Sequence, residues 1–201
     1  MTLSISWIES ALTILWLAWI IYWVVGEPLY QYAKHGSKEA LKRGRTRGNI
    51  LSYVLLMASF GILQISFTGQ LAFLGEGFLP DVAAFSLVGF SFAIAGLAFS
   101  VWARLYLGSN WSPIAMLKKG QILVRSGPYG IVRHPIYSGL IVAIIGTALV
   151  FGGYRVIVSI VCVFLFAWVR ITEEEKLMSK QFGKEYAEYK KKVKAIIPGV
   201  I

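Results

Sequence analysis

A single cysteine, Cys162, and two histidines are all that this chain of 201 residues offers to a soft metal. One cysteine excludes an internal disulfide, and zinc sites usually need four ligands, so no metal site is expected. Cys162 lies inside an apolar run and reads as a small buried apolar residue. Charge is also scarce, at 15%, where a soluble domain carries about 25%. Acids are scarcer than bases, leaving a net charge of +10. That excess does not point to nucleic acid, because the basic residues sit in short segments between apolar runs rather than along one face. No basic residue precedes the first apolar stretch, which therefore reads as a retained anchor and not as a cleaved signal peptide. Internal repeats and low-complexity tracts are absent.

What the chain has in abundance is apolar sequence. Hydrophobic residues make up 57% of it, and the mean hydropathy is +0.65. Five apolar runs stand out, over residues 5–25, 50–74, 82–103, 136–151 and 156–169. The first three reach the roughly 20 residues a helix needs to cross a bilayer. The last two are short; fourteen residues rise only about 21 Å against a hydrocarbon core of about 30 Å. Gly152 and Gly153 separate them and suit a tight turn. The expected fold is all-α. It is an integral membrane bundle of five transmembrane helices, the last two forming a hairpin that is tilted, shielded by neighbours or short of the far face. No charge lies mid-span in any run, which speaks against a channel or transporter.

Of the twenty lysines and arginines, all but Arg155 fall on one side of these runs. Residues 75–81 carry two acids, Glu76 and Asp81, and no base. Five crossings with the N-terminus outside and the C-terminus in the cytosol account for that distribution, as expected for a prokaryotic plasma-membrane protein. Two regions follow, 1–104 as a three-helix membrane region and 105–201 as a catalytic region.

Residues 105–133 are long for a connector, and long structured loops are usually functional. In the tail from Thr172 onward, Met178, Phe182, Tyr186, Tyr189 and Val193 recur at steps of three or four. That spacing predicts an amphipathic cytosolic helix, with Gly183 as its candidate break. A helix this basic also suits an anionic lipid surface.

The chemistry-bearing residues form two clusters. In the first, Gly127-Pro128-Tyr129 leads to Arg133-His134-Pro135-Ile136-Tyr137-Ser138-Gly139. Pro135 suits the first turn of a helix, where its missing N–H would have no partner. Unpaired N–H groups at such a turn favour an anion, and Arg133 and His134 stand beside them. Taken singly, Arg133 reads equally as an interfacial arginine and His134 as a structural histidine. In the second cluster, Arg170 precedes Thr172 and Glu173-Glu174-Glu175. A helix start explains the acids, but an arginine ending an apolar run beside carboxylates reads as a paired polar site. A short hairpin would bring Arg133 and His134 next to Arg170 and Glu174.

These motifs, followed by Phe182-Gly183, Glu185-Tyr186, Tyr189 and Ile197-Pro198 and preceded by Asn110-Trp111-Ser112, resemble the isoprenylcysteine carboxyl methyltransferase family and related phospholipid methyltransferases. The likeness covers about the last half of the chain and is greatest to small prokaryotic members. It implies an enzyme with an S-adenosylmethionine pocket at the cytosolic ends of the last two membrane helices. In that pocket His134 and Arg133 would hold the cofactor's methionine carboxylate region. Val124, Tyr129 and Pro135 would form its wall, with Tyr137 packed nearby. Glu174 would accept from ribose hydroxyls or the cofactor ammonium, and Arg170 would face the methyl acceptor; the two roles are exchangeable. The acceptor would be a lipophilic small molecule or prenylated substrate, such as an isoprenylcysteine carboxylate, or a lipid amine. Membrane lipids are the expected surroundings, and no nucleic acid is expected.

Two other classes remain. Sterol-type membrane reductases share the arginine–histidine–proline motif and use NADPH, but carry an acid just after the tyrosine turn, where this chain has Ser138, Gly139 and Leu140. A non-enzymatic lipid-binding protein is the other alternative.

Overall fold

The computed structural model describes residues 3–23, 61, 83–111 and 120–200. The second apolar run and the two charged segments flanking it lie outside these residues, apart from Gly61. Among the described residues the chain is helical, with no β-strand. The helices are α1 (Leu3–Ile21), α2 (Ala83–Leu107), α3 (Pro128–Ile131), α4 (Pro135–Phe151) and α5 (Arg155–Lys192), with a 3-10 turn at Gly108–Asn110.

Two helices are long and apolar enough to cross a membrane, Ala83–Leu107 and the Val156–Lys192 part of α5. Two shorter apolar helices accompany them, Trp7–Ile21 and Pro135–Phe151. The outward faces carry bare apolar side chains, among them Ile14, Leu17, Ile157, Val161, Leu165 and Trp168. A soluble monomer rarely exposes so continuous a patch, and against lipid it is the expected surface.

Helix α4 is short because it is an inner helix. Twelve of its 17 residues are buried. It lies against α2 with almost no side chain between the backbones. A Cβ placed on Gly139 would fall 2.4 Å from the Gly96 carbonyl oxygen, and one on Gly146 would fall 2.4 Å from that of Gly89. Small residues at such crossings let helices associate where no hydrophobic effect acts between them. Helix α1 buries Ile8, Leu12 and Trp16, four residues apart, on this pair. Two indole N–H groups fasten it. Trp16 donates to Thr147 Oγ1 and Trp19 to Ser100 Oγ, each at 2.9 Å.

Gly152 ends α4 in the left-handed region (φ 63°), and its N–H donates to Ala148 O, closing the helix before the turn into α5. Helix α5 then runs on past the apolar stretch. No glycine or proline occurs from Val156 to Phe182, and Glu173 to Lys176 are adequate helix formers. The tail expected from Thr172 is thus a direct extension of the fifth run as far as Gly183. There the backbone leaves helical geometry (φ 48°, ψ −116°), and a shorter helical piece turns back toward the start of α4.

Candidate active site

The segment before α4 is built to turn tightly. Gly127 has φ 58°, and a Cβ there would fall 2.6 Å from the Tyr106 ring, so glycine is required on both counts. Pro128 opens α3, and Pro135 is the first residue of α4. Tyr129 is buried; its hydroxyl donates to Ala103 O at 3.4 Å, and its own carbonyl accepts from the Tyr189 hydroxyl at 2.5 Å. Val124 is half-buried in the irregular segment just upstream.

The start of α4 meets the middle of α5. The Tyr137 hydroxyl donates to Glu174 Oε1 at 2.5 Å. Arg170, one turn before Glu174, donates from Nε to the Tyr137 hydroxyl and from Nη2 to Glu174 Oε1, both at 3.3 Å. His134 Nδ1 stands 3.5 Å from Glu174 Oε2. The sequence-predicted residues His134, Tyr137, Arg170 and Glu174 are thus in one cluster, with His134 only 7% and Arg170 only 6% exposed.

Glu175 forms a second hub beside the first. Its Oε1 accepts from Arg133 Nη2 at 2.6 Å and from Nε at 3.0 Å, and its Oε2 accepts from Lys190 at 2.5 Å. Arg133 Nη1 donates to the Val193 carbonyl. The chain beyond α5 then lies along the start of α4 like a strap. The Arg133 and His134 N–H groups donate to Lys194 O (2.8 Å) and Ala195 O (2.9 Å), and the Ser138 hydroxyl donates to Ile196 O at 2.7 Å. Two backbone donors at the entry to α4, those of Arg133 and His134, are therefore occupied by the chain's own carbonyls. Pro135 is buried under this strap. Neither Glu175's role nor the strap was legible beforehand; the doubled glutamate and the lysine run after Tyr189 were the available signals.

The charges are mutually dependent. Burial works against a protonated His134, but hydrogen bonds and charge from Glu174 and Glu175 outweigh it and raise its pKa. Burial likewise opposes ionisation of Glu174, yet His134 and Arg170 hold its pKa below the ordinary value. Glu175 is also lowered, burial being overcome by His134, Lys190 and Arg133. His134 Nε2 is buried, 3.5 Å from Glu175 Oε1, without a well-formed hydrogen bond. The cluster therefore holds two ionised carboxylates, two buried cations and one imperfectly satisfied imidazole nitrogen. Among the described residues no cluster of metal-ligating side chains occurs.

A third group lies behind Tyr129. Arg104, buried in the last turn of α2, places its guanidinium 4.1 Å from the centre of the Trp111 ring, which also meets Trp23. Asn110 Oδ1 accepts from the Ile122 N–H at 3.1 Å, pinning the loop toward Gly127. Asn110 and Trp111 thus organise the approach to the site rather than the cluster itself.

Residues 87–180 match the model of the isoprenylcysteine carboxyl methyltransferase family. The protein-S-isoprenylcysteine O-methyltransferase of Schizosaccharomyces pombe is 36% identical over 102 residues, covering 48% of this chain and 42% of that protein. Protein-S-isoprenylcysteine O-methyltransferase B of Arabidopsis thaliana is 26% identical over 196 residues, covering 94% of this chain and 93% of that one. This chain therefore spans less than half of the yeast relative and nearly all of the plant one. Among solved structures, a eukaryotic intramembrane Ras methyltransferase, an isoprenylcysteine carboxyl methyltransferase, shares the fold with a TM-score of 0.56. The identity is 24%, covering 84% of this chain and 58% of that one. With its paired motifs brought together at one end of the α4–α5 hairpin, the chain is similar over that hairpin to the isoprenylcysteine carboxyl methyltransferase family and shares the fold of a solved membrane member.

Proposed function

We propose that this protein transfers a methyl group from S-adenosylmethionine to a lipophilic carboxylate, such as that of an isoprenylcysteine, at the cytosolic membrane face. The observation that carries the reading is the meeting of His134 and Tyr137 with Arg170 and Glu174 across the hairpin. The names of the relatives, isoprenylcysteine O-methyltransferases, support it. So does the lack of an acid after Tyr137, which disfavours the NADPH-dependent reductase.

The residues fit the methyl donor. When bound, S-adenosylmethionine supplies an electrophilic methyl group on a cationic sulfur. Glu174, held ionised, offers its carboxylate to ribose hydroxyls or to the ammonium. His134, whose Nε2 has only a long 3.5 Å contact with Glu175 Oε1, is the group for the cofactor's carboxylate region. Arg133 would contribute there only by sharing its pair with Glu175, so we assign it first to holding the strap. Val124, Tyr129 and Pro135 form the wall. Arg170 orients the acceptor carboxylate, which is already nucleophilic and needs no base. Transfer requires that oxygen about 3–3.5 Å from the methyl carbon and in line with the leaving sulfur. We further propose five crossings, a cytosolic C-terminus, and the functional division into residues 1–104 and 105–201, on the placement of the basic residues.

The test is methyl transfer by the detergent-purified protein from methyl-tritiated S-adenosylmethionine to N-acetyl-S-farnesylcysteine. A base-labile methyl ester is expected, and Arg170→Ala should lower turnover about a hundredfold, more than it weakens cofactor binding. Label in a lipid amine or a thiol instead would replace the acceptor, and no transfer to any of the three would overturn the reading.

A further inference from the structure

A groove of about 560 Å³ lies on the outer face of α5, away from the Arg170–Glu174 cluster. Helical periodicity separates the two. At 3.6 residues per turn, Arg170 and Glu174 share one side of α5, while Trp168, Thr172, Lys176 and Ser179 point to the other. The far wall is the strap and its helix, through Lys190 and Ala195, with Arg133 and Glu175 at the back.

The lining changes character along the helix axis. At the end next to the apolar run stand Ile171 and Trp168, an indole 72% exposed. Thr172 comes next, and Ser179 closes the far end beyond Lys176. Beside them are three cations, Arg133, Lys176 and Lys190, against one carboxylate, Glu175, which Arg133 and Lys190 already share. Among the described residues Lys176 makes no ion pair. From Trp168 to Ser179 the helix rises about 16 Å. That length runs from the hydrocarbon edge across the headgroup layer, where tryptophan is favoured at the boundary.

An apolar end at Trp168 and Ile171, followed one to two turns on by excess positive charge flanked by hydroxyls, matches one amphipathic anion. We propose that this groove binds the headgroup of an anionic phospholipid, with Trp168 and Ile171 against its first methylenes and Lys176 on its phosphate. Basic pockets between helix ends at the cytosolic side are a general means of such recognition. The site is separate from the proposed methyl-transfer pocket but shares a wall with it. Arg133 and Glu175 face the groove, and the same two residues anchor the strap over His134. The inference rests on the membrane placement of α5 and not on the identity of the methyl acceptor.

The experiment uses the whole chain purified in a zwitterionic detergent, with thermal unfolding followed as lipid is added. Phosphatidylglycerol should raise the melting temperature, and phosphatidylcholine should not. Lys176→Glu should weaken the phosphatidylglycerol response about thirtyfold, near what two charge units contribute at a membrane surface. Trp168→Ala should weaken it too. Stabilisation of Lys176→Glu by S-adenosylhomocysteine should equal that of the wild type, which shows that the variant is folded. Equal responses to the two lipids, or an unchanged response in Lys176→Glu, would overturn the proposal. So would inorganic phosphate alone reproducing the phosphatidylglycerol effect at the same phosphate concentration.

Discussion

The Tyr137 hydroxyl and Glu174 Oε1 lie 2.5 Å apart, joining the first turn of α4 to the polar part of α5. A hydrogen bond to a charged group contributes about 1.5–3 kcal/mol, and this one fixes which way the Glu174 carboxylate points. Tyr137→Phe keeps the ring against Phe166 and removes only the hydroxyl. It should weaken S-adenosylhomocysteine binding about tenfold, within the range of that bond. Isothermal titration of the detergent-solubilised variant checks this, and wild-type affinity would remove Tyr137 from the site.

Glu175 is the hub of the strap. Its loss would leave Arg133, whose side chain is 9% exposed, without its counter-charge. Removing one partner of a buried pair costs about 3–5 kcal/mol. Glu175→Ala should therefore lower unfolding stability by about 3 kcal/mol, and the residues after Lys192 should become sensitive to protease. A change within about 1 kcal/mol, in the range of an exposed pair, would mean that the strap is held by its backbone bonds alone.

The hairpin and the polar cluster at its end were legible in the sequence because they depend on local signals. Gly152-Gly153 marks the turn, Pro135 marks the first helical position, and hydropathy marks the runs between. The merging of the fifth run with the tail was harder to read, because hydropathy falls at Arg170 while helix propensity does not. The strap was invisible, because Lys194, Ala195 and Ile196 act through carbonyls, which every residue carries. Arg133 looked available for an anion, since nothing local shows that Glu175 and the Val193 carbonyl will occupy it. The Gly96–Gly139 and Gly89–Gly146 contacts are long-range pairings, and glycines within apolar runs do not announce their partners.

Those contacts make a packing prediction. Gly139→Ala would drive a Cβ to 2.4 Å from a backbone oxygen that cannot rotate away. Overpacking of this kind costs about 1–3 kcal/mol, and Gly139→Leu should prevent recovery of folded protein. Ala98→Leu, on the exposed face of α2, should be nearly neutral. Equal yields and melting temperatures for all three would contradict the α2–α4 crossing.

The ionised cluster gives stability a pH dependence. His134 has a raised pKa, so its contribution is complete below its ordinary value of 6.5 and fades as pH rises toward its folded value. Glu174 and Glu175 have lowered values, so theirs is complete above 4.5 and fades as pH falls. Melting temperature should thus be highest between these limits, and His134→Ala should flatten the fall on the alkaline side. An unchanged alkaline limb in that variant would show that another group titrates there.

The most direct test of the central claim is ligand-dependent thermal unfolding of the wild type, His134→Ala and Glu174→Ala, with S-adenosylhomocysteine or NADPH added separately. A ligand that binds only the folded state stabilises it by about 2.7 kcal/mol at a hundredfold excess over its dissociation constant. The account predicts stabilisation of the wild type by S-adenosylhomocysteine alone, and loss of that stabilisation in both variants without loss of the fold. Stabilisation by NADPH alone, or wild-type response to S-adenosylhomocysteine in both variants, would contradict it.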